Sequence, residues 1–108
     1  MNIELPKPIA AFFEAHNTGK TDSFKALFAE DAIVRDEDRK YQGDAITAWI
    51  DAAIAKYQPQ AEITSLVPDG EQTVATAHVS GSFLGSPVQL RYRFTLRNDK
   101  IAVLTIGS

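Results

Sequence analysis

Three side chains in this sequence have the type and the setting for proton transfer: Asp36, His16 and Tyr92. Asp36 closes the run A-L-F-A-E-D-A-I-V-R-D at 26–36, where β-branched Ile33 and Val34 mark a short strand. Strand side chains repeat with period two, so an inward Val34 carries Asp36 inward with it. A carboxylate facing apolar surroundings has its charged form disfavoured, which lifts its pKa toward the strength a general base needs near neutral pH. The plainer reading is a surface aspartate in an acidic turn beside Glu37 and Asp38, or a partner of Arg35 or Arg39.

His16 shares a helix face with Ile9, Phe12 and Phe13, and from there it can look toward Asp36 and assist it. Set against this, a histidine next to a helix end often bonds a last-turn carbonyl, and the helix dipole favours it there. Tyr41, Trp49, Tyr57 and Tyr92 each carry a donor for a developing oxyanion, although aromatic residues at such spacing are usually core with a polar tip at the surface. Tyr92 is the preferred donor, because its parity matches the inward row of Leu90 and Phe94. His78 belongs to the opposite face from Ala77 and Val79.

The elements that must position these groups follow from periodicity. Pro6 and Pro8 start a first helix, and Gly19 caps it. Thr21 or Asp22 begins a second, with Phe24, Leu27 and Phe28 as its stripe. A turn at Glu30 and Asp31 leads into the strand of Asp36. Tyr41-Gln42-Gly43-Asp44 is a further turn, with Asp44 as N-cap of a third helix whose face holds Ile46, Trp49, Ile50, Ala53 and Tyr57. After Gln60 the period becomes alternating. It predicts strands over about 61–67, 72–83, 87–97 and 100–106. In the last of these both faces are apolar, Ile101 and Val103 against Ala102, Leu104 and Ile106, so the outer face of the sheet is expected to be covered by a second copy of the chain.

Composition narrows the function classes. A chain of 108 residues makes one domain, 1–108, and its apolar fraction of 44% is that of an ordinary globular protein. Net charge −3 gives no basic footprint for nucleic acid or an anionic membrane. No apolar stretch approaches the ~20 residues of a membrane span. With no cysteine and two distant histidines there is no first shell for a metal, and no glycine-rich phosphate motif occurs. No cofactor is therefore expected. The N-terminal M-N-I-E-L-P-K-P lacks the pattern of a signal peptide, and a cytoplasmic location is expected.

The segments F-x-x-H-N-x-G-K at 13–20, A-L-F-A-E-D-A-I-V-R-D at 26–36 and Y-Q-G-D-A-I at 41–46 resemble the SnoaL-like branch of the nuclear transport factor 2-like superfamily. The stretch F-L-G-S-P-V-Q-L-R-Y-R-F-T-L-R-N-D-K-I at 83–101 also fits its small members. The resemblance implies an α+β fold, a cone of three N-terminal helices packed on a curved, mostly antiparallel β-sheet, enclosing an apolar pocket. Its relatives include ketosteroid isomerases, polyketide cyclases and dehydratases, but also domains with no reaction, so fold alone licenses no activity. A ketosteroid isomerase uses an Asp base with an oxyanion hole of a Tyr and a protonated Asp. By the resemblance the base matches Asp36, the tyrosine falls near Phe12, and the protonated acid falls at Leu90 or Tyr92; neither of the last two positions holds a carboxylic acid.

The expectation is a pocket for a small apolar ligand lined by Phe12, Phe28, Val34, Tyr41, Trp49, Tyr57, Leu90 and Phe94. Within it Asp36 acts as base, His16 as helper and Tyr92 as donor, in an isomerisation, cyclisation or dehydration. The competing expectation is a non-catalytic binding or dimerisation module. A homodimer is expected through the outer sheet face, near Thr76, His78, Arg91 and Arg93 and either Ile101 or Val103.

Overall fold

The computed structural model describes residues 5–107. Helix α1 (Lys7–Thr18) starts after Pro6 and ends on Gly19, whose φ of 75° is the left-handed conformation that closes a helix without a Cβ penalty. Its buried face is Ile9, Phe12, Phe13 and His16. The second predicted helix does not form. Phe24–Leu27 makes a single 3₁₀ turn, and Phe28 is already extended at φ −106°, ψ 146°. Phe24 and Phe28 are nonetheless both buried, their rings 5.1 Å apart. The apolar spacing was a burial signal that one tight turn satisfies as well as a helix.

Strand β1 (Phe28–Asp36) therefore begins before the expected turn at Glu30 and Asp31. Those two residues lie in the strand, within the stretch where its register against the neighbouring strand shifts between Phe28 and Ile33. A two-residue turn at Glu37 and Asp38, both at positive φ, returns the chain as β2 (Arg39–Gln42). Helix α2 (Asp44–Tyr57) follows, with Gly43 at its N-cap position instead of Asp44, whose carboxylate pairs with Lys25 at 2.8 Å. The remaining strands are β3 (Gln60–Asp69), β4 (Gln72–Ser80), β5 (Val88–Arg97) and β6 (Lys100–Gly107). Strand β4 stops at Ser80, short of the predicted 83, and residues 81–87 form the connection to β5.

The six strands form one sheet in the order β2-β1-β6-β5-β4-β3. Every neighbouring pair is antiparallel except β1 and β6, which run parallel. Two α-helices and the 3₁₀ turn pack on the curved sheet, giving an α+β fold with two helices where three were expected. No helix of the described residues is long and apolar enough to cross a membrane.

The last strand corrects one expectation. The β5–β6 register shifts between Thr95 and Leu96, which pair with Val103 and Ile101. This irregularity turns Ile101 into the core, fully buried, while Val103 remains half-buried on the other face. Ile101 is thus not an outer-face residue. Part of the doubly apolar pattern that pointed to a covered outer face is a register effect.

Candidate functional site

The cross-strand register sets four residues in a row. Asp36 of β1 pairs with Ile106 of β6, Ile106 with Tyr92 of β5, and Tyr92 with Ala75 of β4. One step further along the strands the row is Val34, Leu104 and Phe94. That second row is fully buried. The first borders a cavity of about 690 Å³ between the sheet, α1, α2 and the 81–87 connection.

The cavity brings the three candidate catalytic side chains together: Asp36, His16 and Tyr92 all line it, as do Phe12, Trp49, Tyr57 and Leu90. Four expected lining residues lie elsewhere. Phe28, Val34 and Phe94 are core, exposed by no more than 6%. Their inward direction matched the expectation, but α1 and the 3₁₀ turn close over that end of the sheet. Tyr41 does not line the cavity and packs behind Trp49, with ring centroids 5.9 Å apart. Sequence reading missed the residues of the mouth: Lys56 and Gln89 are exposed there, and Leu84 is fully exposed. Phe83 was read as the end of a strand and Leu84 fell in the gap before the next one, so only the glycines at 81 and 85 hinted at a longer loop.

Asp36 is half-buried and keeps one firm partner. The indole Nε1–H of Trp49 donates to its Oδ2 at 3.0 Å, leaving Oδ1 without a protein donor among the described residues. The helix residue Trp49 and the strand residue Asp36 are thus fixed against each other by a bond and not only by packing. Burial pushes the Asp36 carboxyl above the ordinary carboxylate range; the Trp49 bond opposes the shift and the charge of Glu37 adds to it. Trp49 both orients the carboxylate and limits how far its basicity rises.

Tyr92 is 3% exposed, and its hydroxyl donates to no described protein group. Burial raises its pKa, and the nearby charge of Asp36 raises it further, so the phenol stays protonated as a donor at neutral pH. Phe12 and Phe13 stand edge-on to its ring, with centroids at 6.1 and 5.0 Å. Phe12, where the resemblance puts the isomerase tyrosine, supplies bulk and no hydroxyl.

His16 is buried at the other side of the cavity, at 6% exposure. Its Nδ1 lies 2.9 Å from Oδ1 of Asn17, a residue that was not singled out from the sequence. The Asn17 side chain in turn spans the backbone of Ala61, donating from Nδ2 to the carbonyl at 2.9 Å and accepting its N–H at Oδ1 at 2.8 Å. Burial lowers the His16 pKa, partly offset by the Asn17 bond. The ring is therefore neutral at pH 7. Among the described residues no group of three or more His, Asp or Glu side chains is placed to hold a metal ion.

Comparison with known proteins agrees with this architecture. The SnoaL-like domain family matches residues 9–104. A Sinorhizobium meliloti protein provisionally assigned as a polyketide cyclase is 39% identical, with a TM-score of 0.90 and 95% of each chain covered. A Catenulispora acidiphila protein with a ketosteroid isomerase-like fold, solved with trimethylamine, is 18% identical with a TM-score of 0.83, covering 97% of this chain and 87% of that one. A nuclear transport factor 2-like protein of unknown function from Cytophaga hutchinsonii shares the fold at 13% identity and a TM-score of 0.78, covering 99% of this chain and 91% of that one. No functionally curated protein matches by sequence. With nearly the whole chain inside the family match and its cone-shaped pocket in place, the protein belongs to the SnoaL-like domain family.

Proposed function

We propose that this protein binds a small, largely apolar carbonyl compound and catalyses proton transfer beside the carbonyl without a cofactor. The observation that carries this reading is the half-buried Asp36 carboxylate, held by Trp49 on the wall of an apolar cavity with Oδ1 free. Its raised pKa brings it nearer the strength of a working base.

In this mechanism Asp36 Oδ1 takes a proton from the carbon next to the carbonyl. The C–H electron pair becomes the enolate double bond, and the negative charge moves to oxygen. The Tyr92 hydroxyl donates to that oxygen from a buried ring, where a hydrogen bond is worth more than in bulk water. The proton held by Asp36 then returns to another carbon, or the enolate carbon attacks a second carbonyl of the same molecule and the alkoxide so formed takes it, or a β-hydroxyl takes it and leaves as water. These outcomes are isomerisation, cyclisation and dehydration. The Sinorhizobium relative supports the middle one.

The test is substrate-independent. An apolar ketone such as 2-tetralone, incubated with the protein in D₂O, should exchange its α-protons faster than in buffer. Asp36→Asn should remove about 10²–10⁴-fold of that acceleration. Equal exchange by both proteins ends the base assignment.

A second reading, a non-catalytic binding module, is favoured by Phe12, which leaves Tyr92 without the second hydroxyl that an isomerase tyrosine would place there. It predicts that 2-tetralone quenches the fluorescence of Trp49 without any exchange. The proposed assembly is a homodimer through the outer sheet face, where Val74, Val103 and Thr105 are half-buried beside exposed Arg91 and His78. Light scattering at micromolar concentration tests it, and a monomer counts against it.

A further inference from the structure

The bonds around Asn17 leave one arrangement of protons open to His16. The Ala61 N–H can only donate and its carbonyl can only accept, so the atom of Asn17 facing the N–H is oxygen and the atom facing the carbonyl is nitrogen. Reversing the amide would set donor against donor and acceptor against acceptor. Asn17 Oδ1 is therefore an acceptor with one lone pair committed to Ala61. The group that meets its other lone pair, His16 Nδ1 at 2.9 Å, must carry a hydrogen.

In a neutral ring, hydrogen on Nδ1 leaves Nε2 with a bare lone pair. That nitrogen bonds no described protein group, yet among the described residues no buried side-chain nitrogen or oxygen lacks a partner. Nε2 therefore reaches open space, and the space His16 borders is the cavity.

We infer that Asn17 is a positioning residue that locks His16 in its Nδ1–H tautomer, so that Nε2 accepts a hydrogen bond from a hydroxyl of the bound ligand. The cavity then offers Nε2 of His16 and Oδ1 of Asp36 as acceptors and the Tyr92 hydroxyl as a donor. A matching ligand carries a hydroxyl as well as a carbonyl. A hydroxylated carbonyl compound fits this set, whereas a plain ketone leaves His16 unpaired in the complex, at the cost of a buried polar group without a partner. The ligand class rests on the proposed use of the cavity; the tautomer does not.

Asn17 also has a purely structural part. It satisfies the outward backbone groups of Ala61 on β3, the edge strand, and its own carbonyl accepts from Gln60 Nε2 at 2.7 Å. A loss of stability on substitution would not separate the two roles, but the protonation pattern of the ring does. Nitrogen-15 spectra of the wild-type protein at pH 8 should show His16 as one neutral tautomer with hydrogen on Nδ1. Asn17→Ala should release the ring to a mixture, and Asn17→Asp should keep the Nδ1–H tautomer while raising the His16 pKa.

A wild-type ring with hydrogen on Nε2, or an unchanged tautomer in Asn17→Ala, overturns the inference. If Asn17→Ala does not fold, the wild-type spectrum decides. For the ligand class, 2-naphthol should shift the Nε2 signal and 2-methoxynaphthalene should not; equal shifts, or none from either, overturn that part. Neither measurement involves turnover, so failure of Asp36 as a base leaves both interpretable.

Discussion

The concave face of one sheet is finished in two different ways. Around Val34, Leu104 and Phe94, helix α1 and the 3₁₀ turn close down, and Phe12, Phe13 and Phe94 interlock edge to face at centroid distances of 5.1 to 6.0 Å. One register step away, around Asp36, Ile106 and Tyr92, the same strands border empty space. The closed half has no ionisable group among its buried members, and the open half holds all three proton-transfer candidates. Tight packing and the candidate site thus fall to neighbouring inward rows of the same strands. A fold this small has little surplus to spare, and its aromatic end supplies most of the packing that lets the other end stay hollow.

Substitutions sort by which half they touch. Phe94→Ala removes a fully buried ring from the closed half and should cost about 3–5 kcal/mol, read from the denaturant midpoint. Leu90→Ala, four residues away on the same face but only partly buried at the cavity, should cost on the order of 1 kcal/mol and enlarge the space beside Tyr92. Equal costs for the two would erase the distinction between the halves.

Asp36→Asn should move stability the other way. Because the folded-state pKa of Asp36 is raised, its contribution is fully present below the unfolded pKa of about 3.9 and is lost as pH rises through the folded value. At pH 7 the wild type holds a carboxylate its surroundings disfavour, and the neutral asparagine can still accept from Trp49. The variant should melt slightly higher at pH 7 and lose that advantage near pH 3. His16 has the opposite sign: its lowered pKa gives stability present above about pH 6.5 and lost as pH falls, so His16→Gln should flatten the acid side of the stability profile. The smallest effect belongs to the rim, where Leu84→Ser should stay within about 0.5 kcal/mol because the side chain is fully exposed.

The same contrast explains what the sequence reveals. Alternation in β5 is legible because its two faces differ, Leu90, Tyr92 and Phe94 against Arg91 and Arg93, and it locates the inward row correctly. It cannot say where along the row the packing stops. That depends on how far α1 reaches, so Val34, Phe28 and Phe94 look the same as Leu90 and Phe12 from the sequence. The 3₁₀ turn was hidden because Phe24, Leu27 and Phe28 fit helical spacing, and the irregularity beside Ile101 because one slipped residue leaves a doubly apolar pattern. Asn17 stands in the motif F-x-x-H-N-x-G-K, but its bonding role was invisible for a different reason. Its partner Ala61 lies 44 residues away, and nothing local marks an asparagine that joins a helix end to an edge strand.

The parallel pairing of β1 with β6 has a consequence for how the protein is made. Strand β6 lies between β1 and β5, so Asp36 and Tyr92 share no sheet until it inserts. Asp36 arrives in the first third of the chain and waits for the last strand to seat it. Such a long closure slows folding relative to the local hairpins of β3, β4 and β5. An early folding species should therefore contain that three-stranded meander while the row that joins Asp36 to Tyr92 is still in pieces.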